Sequence, residues 1–305
     1  MRISRLVPAV VVLGTILPIA APAGAAPAAS VGGGELVFQA EAAAGDLTQN
    51  DLYVIRSDGS HLRRLTTTPD RHEFGPAWNA TGTRIAFWRT PAPFGPGAVW
   101  TMRADGTDQR QLTHGVDARD PVWDPTGTRI AFTLVGPDGF HLATMRAADG
   151  GDLRVLTSGP DLDFEPAWSP DGTRLAFTRG SQQGDAGDVY LLDLGTGAVR
   201  QVTASPDYDH QVAWSPDGRR LVFERDVPTA SSVWTVDPDG THLRQVTSGP
   251  YFDTGPTFSP DGRRIAFGSN RTGTFLDDLW AVNTDGTGPR LIRHLPDSES
   301  FPDWT

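Results

Sequence analysis

Six matching positions in this 305-residue chain carry the residue types from which a charged site could be built. Five residues ahead of six spaced aromatics (Trp78, Trp123, Trp168, Trp214, Phe258, Trp304) stand Glu73, Ala118, Asp163, Asp209, Asp253 and Glu299. Five of these six are carboxylic acids, and Asp117 flanks the exception. His72 and His210 each adjoin one of the acids, and Asp70, Asp120, Asp161, Glu165, Asp207 and Asp297 crowd the same segments. Carboxylates gathered in a ring repel one another. They favour a bound cation, a basic side chain, or carboxyl groups that hold their protons more tightly. A divalent ion such as Ca²⁺ takes several oxygen ligands, although a six-membered ring is wide for direct coordination. A basic segment of a protein or peptide needs no such closeness. Each acid, taken singly, can also cap a turn by accepting backbone N–H groups.

The elements that must position these residues follow from a repeat. PAWNATGTRIAF, PVWDPTGTRIAF, PAWSPDGTRLAF, VAWSPDGRRLVF and PTFSPDGRRIAF begin at Pro76, Pro121, Pro166, Val212 and Pro256. A sixth anchor, Trp304, follows in FPDWT, and the anchors are 44 to 46 residues apart. Each period contains a short aromatic strand, a tight turn, an apolar strand such as RIAFTR, and a variable loop. A second apolar run such as AVWTMR, an Asp-Gly or Thr-Gly turn and a last strand such as LRQVT complete it. Strands joined by Asp-Gly turns are hairpins. Four antiparallel strands in about 45 residues make one propeller blade. Trp304 supplies a first strand without successors, whereas GGELVFQA (Gly33–Ala40) and DLYVIRSDGSHLRRLT supply second, third and fourth strands without a first. Pairing them closes the ring and removes an open sheet edge. The sequence therefore predicts an all-β, six-bladed propeller of four-stranded antiparallel blades. The C-terminal strand is expected to pair with the N-terminal strands.

This repeat resembles the WD40-like Pro-Asp repeat of TolB-like six-bladed β-propellers, and the resemblance covers nearly all of residues 33–305. It implies the fold, and partner binding at a cell envelope. It implies no particular partner, because one fold carries many functions. The helical N-terminal domain of TolB has no counterpart in the sequence. Neither has the hydrolase domain that follows a related propeller in prolyl-oligopeptidase-type peptidases. Some pectin-fragment lyases also resemble this propeller type and use histidine-rich metal sites in the channel. A metal-assisted polysaccharide lyase or hydrolase on the same channel face is therefore the alternative reading, for which His72 and His210 are the histidines in place.

Residues 1–25 read as a secretory signal. Arg2 and Arg5 precede an apolar stretch from Leu6 to Ala21, and Ala23-Gly24-Ala25 is a small-residue cleavage site. Residues 26–32 read as a flexible leader, and 33–305 as the propeller. A secreted or periplasmic protein is expected, with no membrane insertion once the signal is removed. The formal charge of −11 becomes −13 without Arg2 and Arg5, which disfavours nucleic acid and suits basic partners. Cysteine and lysine are both absent. Disulfides, thiolate metal sites, cysteine nucleophiles and lysine Schiff bases are thereby excluded.

Arg63, Arg110, Arg154, Arg200, Arg244 and Arg290 recur at the start of the fourth strands. There they would blunt exposed edges rather than form a site. The least repetitive segments join second to third strands and emerge on the same face as the acidic ring. Phe94 and Phe275 lie on two of them and could anchor a partner. No nucleophile elbow, His-Glu-x-x-His or phosphate loop is present. The sequence thus points to a monomeric binding scaffold without a cofactor. Its partner would be a protein or peptide with a basic segment, held at Glu73, Asp163, Asp209, Asp253, Glu299, His72 and His210.

Overall fold

The computed structural model describes residues 34–41, 50–68, 70–91, 95–181, 187–273, 276–295 and 298–305. The signal and leader, together with Phe94, Phe275 and Asp297, lie outside these residues. Among the described residues the chain forms six four-stranded antiparallel sheets, as the period predicts. Five are consecutive in sequence. The sixth has Glu299–Trp304 as its inner strand, followed by Glu35–Glu41, Asn50–Arg56 and Arg63–Arg64. Leu36 pairs with Trp304 and Val37 with Asp303, so the last strand closes the ring as expected. No helix among the described residues is long and apolar enough to cross a membrane.

Each second strand carries one phenylalanine at the matching position, in Arg-x-Ala-Phe in four blades, Arg-Leu-Val-Phe at 220–223 and Glu-Leu-Val-Phe at 35–38. Phe38, Phe87, Phe132, Phe177, Phe223 and Phe267 all have no solvent exposure. They pack with the neighbouring blades' aliphatic residues, as Phe223 does with Ala176, Val189 and Leu191. Burying a phenylalanine is worth about 1.5–3 kcal/mol, so these residues help hold blade to blade.

The Ser-Pro-Asp-Gly turns work by side-chain capping. Ser169 Oγ donates to Asp171 Oδ1 (2.6 Å) and accepts from Arg174 N (2.9 Å), and Gly172 takes φ 71°. The outer strands are two to four residues long and carry the six in-register arginines at the rim. Some of these arginines tie blades together: Arg290 Nη2 donates to Ser57 O at 2.8 Å, and Arg200 and Arg244 reach Pro238 O and Asp285 O.

The inner strands His72–Trp78, Asp117–Trp123, Leu162–Trp168, Tyr208–Trp214 and Asp253–Phe258 each contain a register shift three residues before the anchor. The residue at that point is left-handed in all six blades: Gly75 (φ 52°), Asp120 (51°), Glu165 (53°), Gln211 (52°), Gly255 (58°) and Phe301 (52°). Such a bulge sets two residues against one and releases an N–H from the ladder. Proline follows at Pro76, Pro121, Pro166, Pro256 and Pro302, where no ladder donor is needed.

Candidate functional site

The five acids five residues before the anchors sit inside the blades. Glu73, Asp209 and Glu299 have no exposure, and Asp163 and Asp253 have 1 %. Four of them meet an arginine. Arg89 Nε donates to Glu73 Oε1 at 2.6 Å. Arg179 grips Asp163 through two bonds (2.6 and 2.9 Å), and Arg225 grips Asp209 likewise (2.6 and 2.7 Å). Arg271 holds Asp253, which also accepts from Ser269 Oγ at 2.6 Å. Each guanidinium also lies over aromatic rings. Arg89 is 4.5 Å from the Trp100 centroid, Arg225 4.5 Å from Trp234, Arg179 5.2 Å from Tyr190, and Arg271 4.7 Å from Tyr251. Bidentate charge-assisted bonds of this kind fix both partners.

The exception explains the rule. In the blade where alanine replaces the acid, Ala118 stands opposite Leu134, the position held by arginine in its neighbours. Charge is lost on both strands together, and an apolar pair fills the site. Glu299 has no arginine opposite and faces Ala40 instead. Its Oε2 accepts Leu279 N at 2.9 Å. In the other blades threonines (Thr66, Thr113, Thr157, Thr203, Thr247) accept the matching third-strand N–H. Burial pushes Glu73 above the usual carboxylate range, against the pull of Arg89.

The channel wall is made two residues further on. A cavity of about 370 Å³ is lined by the six left-handed residues, the residues after them and the aromatic anchors. Its ionisable lining groups among the described residues are Asp120, Glu165 and Asp303; no arginine or histidine lines it. In four of the six blades the N–H freed by the bulge is taken by a side chain of the preceding blade. Gly75 N donates to Gln39 Oε1 (3.0 Å), Glu165 N to Thr133 Oγ1 (3.1 Å), Gln211 N to Glu165 Oε2 (2.9 Å) and Gly255 N to Gln211 Oε1 (2.7 Å). Asp303 Oδ2 accepts Trp78 N at 2.6 Å. Burial, with the charge of Glu165 nearby, pushes Asp120 up to about 7. Burial pushes Asp303 up to about 6.

Of the two histidines singled out from sequence, His72 is buried and stacks on Phe74 (5.9 Å), which stacks on Trp88 (4.5 Å). His210 joins three carboxylates. Its Nε2 lies 3.2 Å from Asp226 Oδ2 and 3.7 Å from Glu224 Oε1, and its Nδ1 lies 3.8 Å from Glu165 Oε2. Burial opposes a charge on His210, but the bond to Asp226 and the charges of Glu165 and Glu224 outweigh it and push its pKa up to about 9. Glu224 is raised by burial and by the charge of Asp226.

Glu224 and Asp226 escape a reading of the sequence because they sit on a second strand, outside the segments before the anchors. The available signal is ERD at 224–226, where the other repeats read QAE, WRT, TLV, TRG and GSN. Asp120 and Glu165 are two of the acids the sequence places in these segments, and the bulge turns them to the channel. Half-buried Phe74, Trp88, Phe164 and Tyr208 lie at the end where the inner strands begin. The register there sets His72 opposite Thr90 and Tyr208 opposite Asp226, so the second-to-third-strand loops emerge on this same face.

A closed six-bladed propeller with a proline-marked bulge ring around an acidic channel defines the class. The sequence pattern of the TolB beta propeller domain matches residues 140–305, and the chain belongs to that family. No curated protein matches the chain in sequence. Among solved structures, TolB from Acinetobacter baumannii is similar with a TM-score of 0.74 and 20 % identity, over 89 % of this chain and 66 % of that one. A TolB candidate from Agrobacterium tumefaciens gives 0.68 and 18 %, over 88 % and 91 %. A chain of a nidogen/laminin complex gives 0.69 and 11 %, over 90 % and 98 %. At these identities the likeness is one of fold.

Proposed function

We propose that this chain is a secreted or periplasmic binding propeller whose acidic channel mouth takes a basic segment of a protein or peptide. The observation that carries this reading is the channel wall, where Asp120, Glu165 and Asp303 are the ionisable groups. Low-dielectric walls of one charge sign focus the field on an oppositely charged group. Aromatic faces at Phe74, Trp88 and Phe164 suit an arginine or lysine side chain, which gains from both ring and carboxylate. The net charge of −11 over the whole chain acts in the same direction. A TolB fold and a propeller taken from a nidogen/laminin complex are in keeping with a protein partner. The carboxylates at Glu73, Asp163, Asp209 and Asp253 are matched by arginine, so we assign them to support of the wall. The protein acts as a monomer, and nucleic acid is not its ligand.

The test is fluorescence anisotropy with an arginine-rich peptide of about ten residues, in chelator, across a salt series. Binding should weaken with salt, and Asp120→Asn with Glu165→Gln should cost at least tenfold in affinity and flatten the salt slope. Unchanged affinity and slope in that double variant would remove the site. Turnover of uronide oligosaccharides, absent in the variant, would favour the lyase reading instead. Export is checked separately. The native protein should begin near Ala26 by N-terminal sequencing, and a retained Met1 in the cytoplasm would refute it.

A further inference from the structure

We propose that His210, Glu224 and Asp226 bind a divalent transition-metal ion, Zn²⁺ or Mn²⁺, beside the channel. This goes beyond peptide binding and does not depend on it. One donor atom from each residue lies within 4.8 Å of the others. His210 Nε2 is 3.2 Å from Asp226 Oδ2 and 3.7 Å from Glu224 Oε1. Metal–ligand bonds of about 2.0–2.2 Å at tetrahedral or octahedral angles put neighbouring donor atoms roughly 3.0–3.6 Å apart. The two separations from His210 Nε2 therefore stand close to the spacing kept around one ion, and the two carboxylates lie within 4.8 Å of each other.

The burial is also graded in a useful way. Glu224 is 3 % exposed, whereas the Asp226 side chain is 43 % exposed. An ion would be gripped from within and keep coordination positions open toward solvent. Glu165 lies on the far side of the imidazole, 3.8 Å from Nδ1, and its Oε2 is itself fixed by Gln211 N and Thr178 Oγ1. At that distance Glu165 acts on the imidazole through its charge, and a negative charge behind a ligand histidine raises its basicity.

The repeat supplies an internal control. The position of His210 is Phe74, Arg119, Phe164, Thr254 and Ser300 in the other blades. The position of Glu224 is Gln39, Trp88, Thr133, Thr178 and Gly268. The blade fold asks for neither residue, yet both occur together, directly opposite each other on paired neighbouring strands, with Asp226 beside them. Two carboxylates set against one imidazole are relieved by a doubly charged ion. The imidazole suits Zn²⁺ and the two carboxylates suit Zn²⁺ or Mn²⁺, whereas Ca²⁺ and Mg²⁺ prefer an all-oxygen ligand set.

The experiment is isothermal titration calorimetry of the chelator-treated mature protein with ZnCl₂, and with MnCl₂ and CaCl₂ in parallel. One Zn²⁺ or Mn²⁺ should bind per chain with micromolar or tighter affinity. His210→Ala and Asp226→Asn should each weaken it at least 100-fold, and Glu165→Gln about tenfold. Asp226 is half exposed, so its variant keeps the test valid should the others fold poorly. Thermal melting should show a metal-dependent rise in wild type that Asp226→Asn loses. Absence of saturable Zn²⁺ or Mn²⁺ binding, preference for Ca²⁺, or full affinity in Asp226→Asn would overturn the site. A cluster held together by protons alone gives the first of these results.

Discussion

Two rings of side chains encircle this propeller two residues apart in sequence, and the fold treats them in opposite ways. In the ring five residues before the anchors, an acid repeats in five of six blades, and in four of them it is buried against an arginine. In the ring three residues before the anchors, the backbone conformation repeats and the residue type does not: glycine, aspartate, glutamate, glutamine, glycine and phenylalanine all adopt φ between 51° and 58°. Scaffold demand explains the first, because a buried carboxylate needs its partner. The second obeys only a backbone rule, and a side chain such as phenylalanine is costly there. Variety at a position whose conformation is fixed marks where binding can differ between proteins of one fold. Regular chemistry marks where the blade is held together.

The largest effect expected from this contrast is on stability. Asp209→Asn leaves Arg225 buried without its charge partner and should cost about 3–5 kcal/mol in urea denaturation. Asp209→Ala combined with Arg225→Leu copies the Ala118–Leu134 pair found two blades away. That double variant should recover most of the loss, since apolar replacement of both members of a buried pair is close to neutral. A double variant as unstable as the single one would show that the ring does more than bridge two strands.

A smaller effect separates the channel ring by its pH dependence. Asp120 sits at about 7 in the folded chain, against an ordinary 3.8. The folded state therefore binds more protons than the unfolded one between those two values, and the Asp120 contribution to stability falls as pH rises through that window. Asp120→Asn removes this loss and keeps the side chain's shape. Its stability relative to wild type should rise from pH 4 to pH 7, by at most about 1.4 kcal/mol per pH unit, and level off above. A constant difference across the window would mean that Asp120 is ionised as an ordinary surface acid. The smallest stability effect belongs to Glu165→Gln, which should leave the melting temperature nearly unchanged. Its consequences belong to peptide and metal affinity.

Much of the pairing in the buried ring had a sequence trace. Glu73 and Arg89, Asp163 and Arg179, and Asp209 and Arg225 are each 16 residues apart, a spacing as constant as the anchors themselves. Read together with the Ala118–Leu134 exchange, it marks a cross-strand pair. The His210 cluster had a weaker trace, because Glu224 and Asp226 join it only through the pairing of two strands. His210 stands opposite Glu224 across the inner hairpin.

The sequence by itself determined the blade count, the closing strand, the turns and the phenylalanine core, since each rests on a period that alternation and turn chemistry translate directly into structure. Only the tertiary structure decided which carboxylates see the channel. An inner strand without a bulge would show every second residue to the same side, so acids five and three residues before the anchor would share one fate. The extra left-handed residue resets that alternation in mid-strand. It turns Asp120 and Glu165 to the channel and leaves Asp163 and Asp209 among the arginines.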